Sequence, residues 1–256
     1  KHIDFLNENI KNYYFQYTLN DYDKEKYERL VPPVSARINT FKELSKKIGR
    51  ERVIWRFDPL LLTEEIGVEE LLRRLKFIGD QLKDYTNKLV ISFADIKVYR
   101  KVEVNLKKDK IPFREFTPTT MIEVAKRIAE LNKNWGFKIG TCAEQIGLSN
   151  YGIEKNKCVD DDLMIQLFSQ DKVLMDFLGV EIKPPNLFSK EQIISKKKNL
   201  KDKGQRVECG CIISKDIGQY NTCPHECVYC YANTSKEEAR KNYQNHKNNP
   251  SSETIV

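Results

Sequence analysis

Along residues 1–180, short apolar runs alternate with longer stretches in which apolar residues recur every three or four positions. The short runs are rich in β-branched and aromatic residues, a composition that predicts strands. They are "NYYFQYTL" (12–19), "RVIWRFDPLL" (52–61), "KLVISFADI" (88–96) and "FKIGTCAE" (137–144).

The longer stretches predict amphipathic helices over 35–48, 68–82 and 118–134. In the third of these, Thr117 can cap the amino end and Pro118 suits the first turn. Each helix therefore connects one predicted strand to the next.

Alternating strands and helices predict an α/β fold with a parallel sheet and right-handed crossovers. Four strands do not close a barrel by themselves. The chain starts at Lys1 and enters a strand-like run almost at once, so we expect further strands upstream. With those strands, or with strands from the carboxyl-terminal region, the fold would be a partial or permuted TIM-like barrel; a doubly wound parallel sheet is the alternative.

The alternation of apolar runs and helical patterns ends after residue 180. Residues 181–206 contain a proline pair and a run of lysines, and we interpret them as a partly helical connector. Residues 207–233 hold five of the seven cysteines and are expected to pack on the barrel-like domain of residues 1–180. Residues 234–256 are polar and are expected to fray.

Composition indicates the cellular compartment of the protein. Of 256 residues, 40% are hydrophobic and 32% are charged, without an apolar run of about 18 residues or a signal-peptide pattern. We therefore expect a soluble, cytoplasmic protein that does not enter the membrane. The net charge of +7 is diffuse, which favours a solvated surface and supports nucleic-acid binding only weakly.

In a reducing compartment, seven cysteines favour metal binding or catalysis over disulfides. Cys223, Cys227 and Cys230 follow the spacing C-x3-C-x2-C, and such short loops bind iron–sulfur clusters. Three protein ligands on a [4Fe–4S] cluster would leave one iron open to another molecule. The alternative is a zinc site completed by His225 or another cysteine, although zinc sites usually show two C-x2-C pairs.

This triplet resembles the signature of the radical S-adenosylmethionine (SAM) superfamily, C-x3-C-x-aromatic-C, with Tyr229 at the aromatic position. The longer "QYNTCPHECVYCYAN" is similar to the motif of spore-photoproduct-lyase-like proteins. The resemblance implies a cluster that binds SAM and cleaves it with one electron to methionine and a 5'-deoxyadenosyl radical. It further implies that Tyr229 packs near the adenine, that a ferredoxin- or flavodoxin-type protein supplies the electron, and, by analogy alone, that DNA is a possible substrate.

Four segments resemble the domain-of-unknown-function family numbered 1848. They are "RVIWRFDP", "GTCAE", "YGIEKNKC" and "CGCIISKDIGQYNTCPHECVYCYAN". This family resembles radical-SAM proteins in its cysteine cluster but carries it near the carboxyl terminus. The sequence departs from the superfamily by lacking the Gly-Gly-Glu element that often holds the SAM amino group.

The other four cysteines are Cys142, Cys158, Cys209 and Cys211. Four thiols suffice for a second cluster or a zinc site. The alternative is that Cys142 and Cys158 are inert and buried, since a free cysteine behaves as a small hydrophobic residue.

Polar residues at the ends of predicted strands are candidates for catalysis, because parallel α/β folds place functional groups there. Arg56 and Asp58 lie two apart and share one strand face. Either they form a buried ion pair or they contact SAM or an anionic substrate. Together with Glu144 they are our predicted catalytic residues. Four further polar residues occupy similar positions: Gln16, Ser92, Asp95 and Thr141.

These observations favour an iron–sulfur enzyme of radical-SAM type with an unknown substrate. The alternative is a non-catalytic metal-binding interaction module, in which zinc or an inert cluster attaches the carboxyl-terminal segment to the domain.

Overall fold

A computed structural model describes residues 2–183 and 193–254. The helices are α1 His2–Asn9, α2 Val34–Ile48, α3 Val68–Leu82, α4 Arg100–Lys108, α5 Pro118–Asn132, α6 Asp161–Phe168, α7 Lys172–Leu178 and α8 Lys236–Asn248. The strands are β1 Phe15–Thr18, β2 Val53–Leu60, β3 Leu62–Thr63, β4 Lys88–Phe93, β5 Phe113–Arg114, β6 Lys138–Cys142, β7 Ile153–Asn156, β8 Val180–Lys183 and β9 Ile193–Lys196. Within the described ranges, no helix has the length and apolar character needed to cross a membrane.

A five-stranded parallel sheet forms the centre, in the order β1-β2-β4-β6-β7. Its register places Thr18, Arg56, Val90, Gly140 and Glu154 in one row across the sheet. The strands thus follow one another across the sheet in chain order. The other strands form two antiparallel pairs, β3 with β5 and β8 with β9.

The two faces of the central sheet differ in polarity because successive residues of a strand point to opposite faces. Trp55 and Phe57 of β2 are fully buried in the main hydrophobic core. Trp55 makes an edge contact with Trp135, which follows α5, at a ring-centroid distance of 6.3 Å. Arg56 and Asp58 alternate with these aromatic residues and therefore lie on the opposite, polar face.

Sequence patterning predicted the main elements correctly. The predicted strands contain β1, β2, β4 and β6, and the predicted helices coincide with α2, α3 and α5. Strand β7 was missed because its sequence, "IEKN", is short and polar. Helix α4 was missed because only Val102 and Leu106 of its nine residues are buried.

The predicted α/β class with a parallel sheet is confirmed. Across the described ranges the sheet has two free edges, at β1 and β7, and does not close into a barrel. An open parallel sheet is the feature that the partial-barrel and doubly wound predictions have in common.

Two predictions beyond residue 180 differ from the structure. The segment 181–206 was expected to be partly helical, but its described residues include most of β8 and all of β9, which pair as antiparallel strands, and residues 184–192 lie outside the described part of the chain. The tail was expected to fray, yet it forms α8, whose first turn is capped by Ser235. Burial of Ala239 and an ion pair between Arg240 and Glu226 attach α8 to the cysteine-rich segment.

Candidate functional site

A cavity of about 1020 Å³ lies at the carboxyl ends of the parallel strands, on the polar face of the sheet. This volume is at the upper end of the range for small-molecule sites. Strand-end residues form one side: Gln16, Thr18, Arg56, Asp58, Ser92, Asp95, Cys142, Glu144 and Cys158. The carboxyl-terminal segment forms much of the other side, with Arg206, His225, Cys227, Tyr229, Cys230 and Tyr231.

Arg56 and Asp58 form a partly buried ion pair on the strand side of the cavity. The Arg56 Nε donates to Asp58 Oδ2 at 3.0 Å, and Nη1 donates to Gln16 Oε1 at 2.6 Å and to Cys158 Sγ at 3.0 Å. Burial lowers the pKa of Arg56, but the charges of Asp58 and Cys158 outweigh burial and raise the pKa above its ordinary value. The guanidinium is therefore charged and already paired within the protein.

Cys142 and Cys158 are brought together by neighbouring strands. Cys142 ends β6 and Cys158 follows β7, and their Sγ atoms are 3.3 Å apart. A hydrogen bond from Cys142 and the charge of Arg56 lower the pKa of Cys158 to about 5, against the effect of burial. The same hydrogen bond, with burial, raises the pKa of Cys142.

Cys211 lies next to this pair, and both Cys211 and Cys209, two residues earlier, are buried. The Cys211 Sγ accepts the backbone N–H groups of Cys158 at 3.1 Å and Val159 at 3.4 Å. Burial is the main cause that raises the pKa of Cys211 to about 11, and a hydrogen bond with the Cys209 thiol contributes to the shift.

The triplet loop, residues 223–230, is attached to the segment that follows β1. Cys227 forms an antiparallel bridge with Glu28, and the N–H of Val228 donates to the carbonyl of Tyr27 at 2.9 Å. Cys227 and Cys230 line the cavity, whereas Cys223 is exposed.

Electrostatic interactions within the triplet loop shift the pKa values of Cys223 and Cys227. Burial, followed by the charges of Glu28, Cys223 and Cys230, raises the pKa of Cys227 to about 12. A hydrogen bond with His225 lowers the pKa of Cys223. Cys227 is thus coupled electrostatically to both other thiols of the loop.

Tyr229 is fixed by a buried polar network. Its hydroxyl donates to Glu28 and accepts from Asn20 Nδ2 at 3.0 Å, and its ring makes an edge contact with Tyr22 at 6.0 Å. The Asn20 Oδ1 also accepts the N–H of Asp58 at 2.9 Å. This network joins the triplet loop to the ends of β1 and β2.

Glu144 is buried, lines the cavity and accepts the N–H of Phe93 at 3.0 Å. Burial, reinforced by the charge of Asp95, raises the pKa of Glu144 to about 7. A carboxyl group of this kind can give or accept a proton near neutral pH. Thr141, by contrast, is paired in register with Ile91, is 2% exposed and does not line the cavity.

Sequence reasoning missed several residues at this site. Asn20 and Glu28 are buried polar residues whose role depends on Tyr229, about two hundred positions away along the chain. Asn20 directly follows the first predicted strand, a position that could have indicated it. At the cavity wall, Tyr99 lies against Tyr231 at 5.4 Å and beneath Arg206 at 5.8 Å.

One acidic cluster lies outside the cavity. Asp160, Asp161 and Asp162 have carboxylate oxygens within 4.8 Å of one another. Lys88, Lys157 and Lys196 form ion pairs with them. Because lysines already neutralise these carboxylates, we assign them a structural role.

Fold and site define the class: an α/β protein with a large cavity whose wall carries cysteines from two regions of the chain. The chain belongs to the family described as Domain of unknown function (DUF1848), whose model matches residues 1–232. This match confirms the family suggested by the sequence motifs. The search of curated proteins and the search of solved structures gave no match.

Proposed function

We propose that the protein is an iron–sulfur enzyme of radical-SAM type, with Cys223, Cys227 and Cys230 holding a [4Fe–4S] cluster. The observation that carries this proposal is the position of the triplet loop, which places Cys227 and Cys230 on the wall of the strand-end cavity. A cluster held there would face the space in which a substrate can bind.

The spacing of the sulfurs supports a cluster over a single zinc ion. Four thiolates at about 2.3 Å from one zinc ion lie roughly 3.8 Å from one another. The structure describes all seven cysteines, and no three of their sulfurs lie within 4.8 Å of one another. Cysteines that bind different irons of a cluster are held farther apart than the ligands of one ion, so the wider spacing suits a cluster.

The strand order supports a barrel-like arrangement of the site. Doubly wound sheets reverse their strand order at a switch point, whereas this sheet runs β1-β2-β4-β6-β7 without reversal. Helices α2 and α3 contact each other, as do α3 and α5, which places them together on one face. The opposite face is then free to form the inner wall of a partial barrel, with the triplet loop across it.

In the proposed enzyme the cluster would supply one electron to SAM. The chain itself contributes the strand-end cavity, and a substrate bound across its opening would exclude water and competing reactions from a reactive intermediate. Tyr229 has its hydroxyl committed to Glu28 and Asn20, so its ring is held in place at the cavity wall. Glu144 offers a carboxyl group that exchanges protons near neutral pH.

For Arg56 the contacts favour the ion pair over the contact with SAM or an anionic substrate, the two alternatives that the sequence left open. Its guanidinium is bound to Asp58, Gln16 and Cys158, and we propose that it orients these groups at the cavity wall instead of clamping a carboxylate of SAM. The partners that the proposal requires are a one-electron reductant of ferredoxin or flavodoxin type and an unidentified substrate.

The test is iron and acid-labile sulfide analysis of anaerobically purified protein. The triplet variant, Cys223→Ser with Cys227→Ser and Cys230→Ser, should lose about four iron atoms per chain relative to wild type. The control is Thr222→Ser in the same loop, which keeps the hydroxyl that donates to the Gln219 carbonyl and should retain full iron. Equal iron in the triplet variant and wild type, or zinc without sulfide in wild type, would support the metal-binding interaction module instead.

A further inference from the structure

The four cysteines outside the triplet form two pairs, one in contact in space and one adjacent along the chain. Cys142 and Cys158 come from neighbouring strand ends, and their sulfurs are 3.3 Å apart. Cys209 and Cys211 are separated by one residue, and both are buried. The second pair reaches the first through the N–H of Cys158, which donates to the Cys211 sulfur at 3.1 Å.

The two pairs meet at Cys158 and Cys211 but do not merge into one compact group. No three sulfurs of these described cysteines lie within 4.8 Å of one another, so the Cys211 sulfur is farther than this from at least one member of the first pair. One tetrahedral ion would draw all four sulfurs to roughly 3.8 Å from one another. At least one sulfur–sulfur distance between the pairs therefore exceeds this requirement.

A [2Fe–2S] cluster requires ligands arranged in two separate pairs. It takes four cysteine thiolates. Each tetrahedral iron is bonded to two bridging sulfides and two thiolates, so the ligands come as two close pairs with a gap between them. We propose that Cys142, Cys158, Cys209 and Cys211 bind a [2Fe–2S] cluster, with Cys142 and Cys158 on one iron and Cys209 and Cys211 on the other.

The surroundings of the sulfurs suit an anionic cluster. The Cys158 sulfur accepts the Arg56 guanidinium at 3.0 Å, and the Cys211 sulfur accepts the N–H groups of Cys158 and Val159. Hydrogen bonds to cluster sulfurs and a nearby positive charge stabilise the negative charge that four thiolates bring. Arg56 thus has a partner in this site in addition to Asp58.

The site is separate from the triplet, so each can be tested alone. In the triplet variant described above, the four cysteines of the proposed [2Fe–2S] site are the only cysteines left. We expect the variant to retain about two iron atoms and about two sulfides per chain, and to give the electron paramagnetic resonance signal of a reduced [2Fe–2S] cluster. A metal-free triplet variant, or one with stoichiometric zinc and no sulfide, would overturn the proposal.

Variants of each pair complete the test. Cys142→Ser with Cys158→Ser, and Cys209→Ser with Cys211→Ser, should each lose the [2Fe–2S] signal and about two iron atoms, while the iron that depends on the triplet remains. Loss in one pair variant but not in the other, or a Cys142–Cys158 disulfide found by mass spectrometry of anaerobic wild type, would contradict it. If a variant fails to fold, Mössbauer spectroscopy of iron-57-labelled wild type decides, because a [2Fe–2S] component must be present in addition to any [4Fe–4S] component.

Discussion

Individual buried polar residues hold the triplet loop in place. Glu28 accepts hydrogen bonds from Tyr229, Asn20 and Arg37, so its buried carboxylate is paired with a hydroxyl, an amide and a cation. A group of this kind stabilises the structure only while all its donors are present, because an unsatisfied buried acceptor has a high desolvation cost.

Tyr229→Phe tests this network at a single hydroxyl. The variant keeps the ring but removes a donor to Glu28 and an acceptor for Asn20. We expect the free energy of unfolding to fall by about 1–2 kcal/mol, measured by urea denaturation. Tyr231→Phe is the control: Tyr231 is 62% exposed, so the loss of its hydroxyl should change the free energy of unfolding little. Equal stability of the two variants would mean that the network does not anchor the loop.

Arg56 and Asp58 provide a second test at the residue scale. Arg56→Gln should destabilise the protein by about 2 kcal/mol, because it leaves the Asp58 carboxylate without its cation at a partly buried position. Asp58→Asn should recover part of this loss in the double variant. A double-mutant cycle measures the coupling, and additive effects of the two substitutions would show that the pair does not act as a unit.

At the scale of elements, helix α3 packs closely on α5 and the segment after it. Gly79 lies in α3 against the ring of Trp135, and a Cβ at this position would be 2.4 Å from Trp135 Cζ2. Trp135 is itself held by a hydrogen bond from Nε1 to Asp80 at 2.8 Å and by its contact with Trp55. The ring therefore has little freedom to move aside.

Gly79→Ala should destabilise the fold although alanine is the better helix former. The gain in helix propensity is about 1 kcal/mol, whereas overpacking costs about 1–3 kcal/mol, so we expect a net loss near 1 kcal/mol in chemical denaturation. Gly147→Ala, outside any helix, is the control for the added methyl group, because a Cβ there would have no atom within 4 Å. A more stable Gly79→Ala variant would disprove the close packing.

The sequence predicted the elements best where burial on one face produced a clear pattern. Residues Leu71, Leu75, Ile78 and Leu82 of α3 are fully buried and lie at helical spacing, which is why this helix was predicted with its bounds. Strand β7 is too polar to show such a pattern, and helix α4 shows it only at Val102 and Leu106, which is too short a stretch to predict a helix from sequence.

At the scale of the whole molecule, the cavity depends on the docking of the carboxyl-terminal segment against the polar face of the sheet. Val228, in the middle of the triplet loop, is fully buried in the main core. The alternation of Arg56 and Asp58 with aromatic residues allowed the strand side of the cavity to be predicted. Other contacts join distant parts of the chain and could not be predicted from a local sequence pattern. They are the contacts of Tyr229 with Asn20 and Glu28, and of Tyr99 with Tyr231.

Electron paramagnetic resonance of the anaerobically purified protein, reduced with dithionite, tests the central claim most directly. We expect the signal of a reduced [4Fe–4S] cluster that is lost in the triplet variant and changes shape when SAM is added, because SAM would bind the iron without a cysteine ligand. A reduced wild-type protein with no [4Fe–4S] signal, or with a signal that SAM leaves unchanged, would contradict the proposed radical-SAM function.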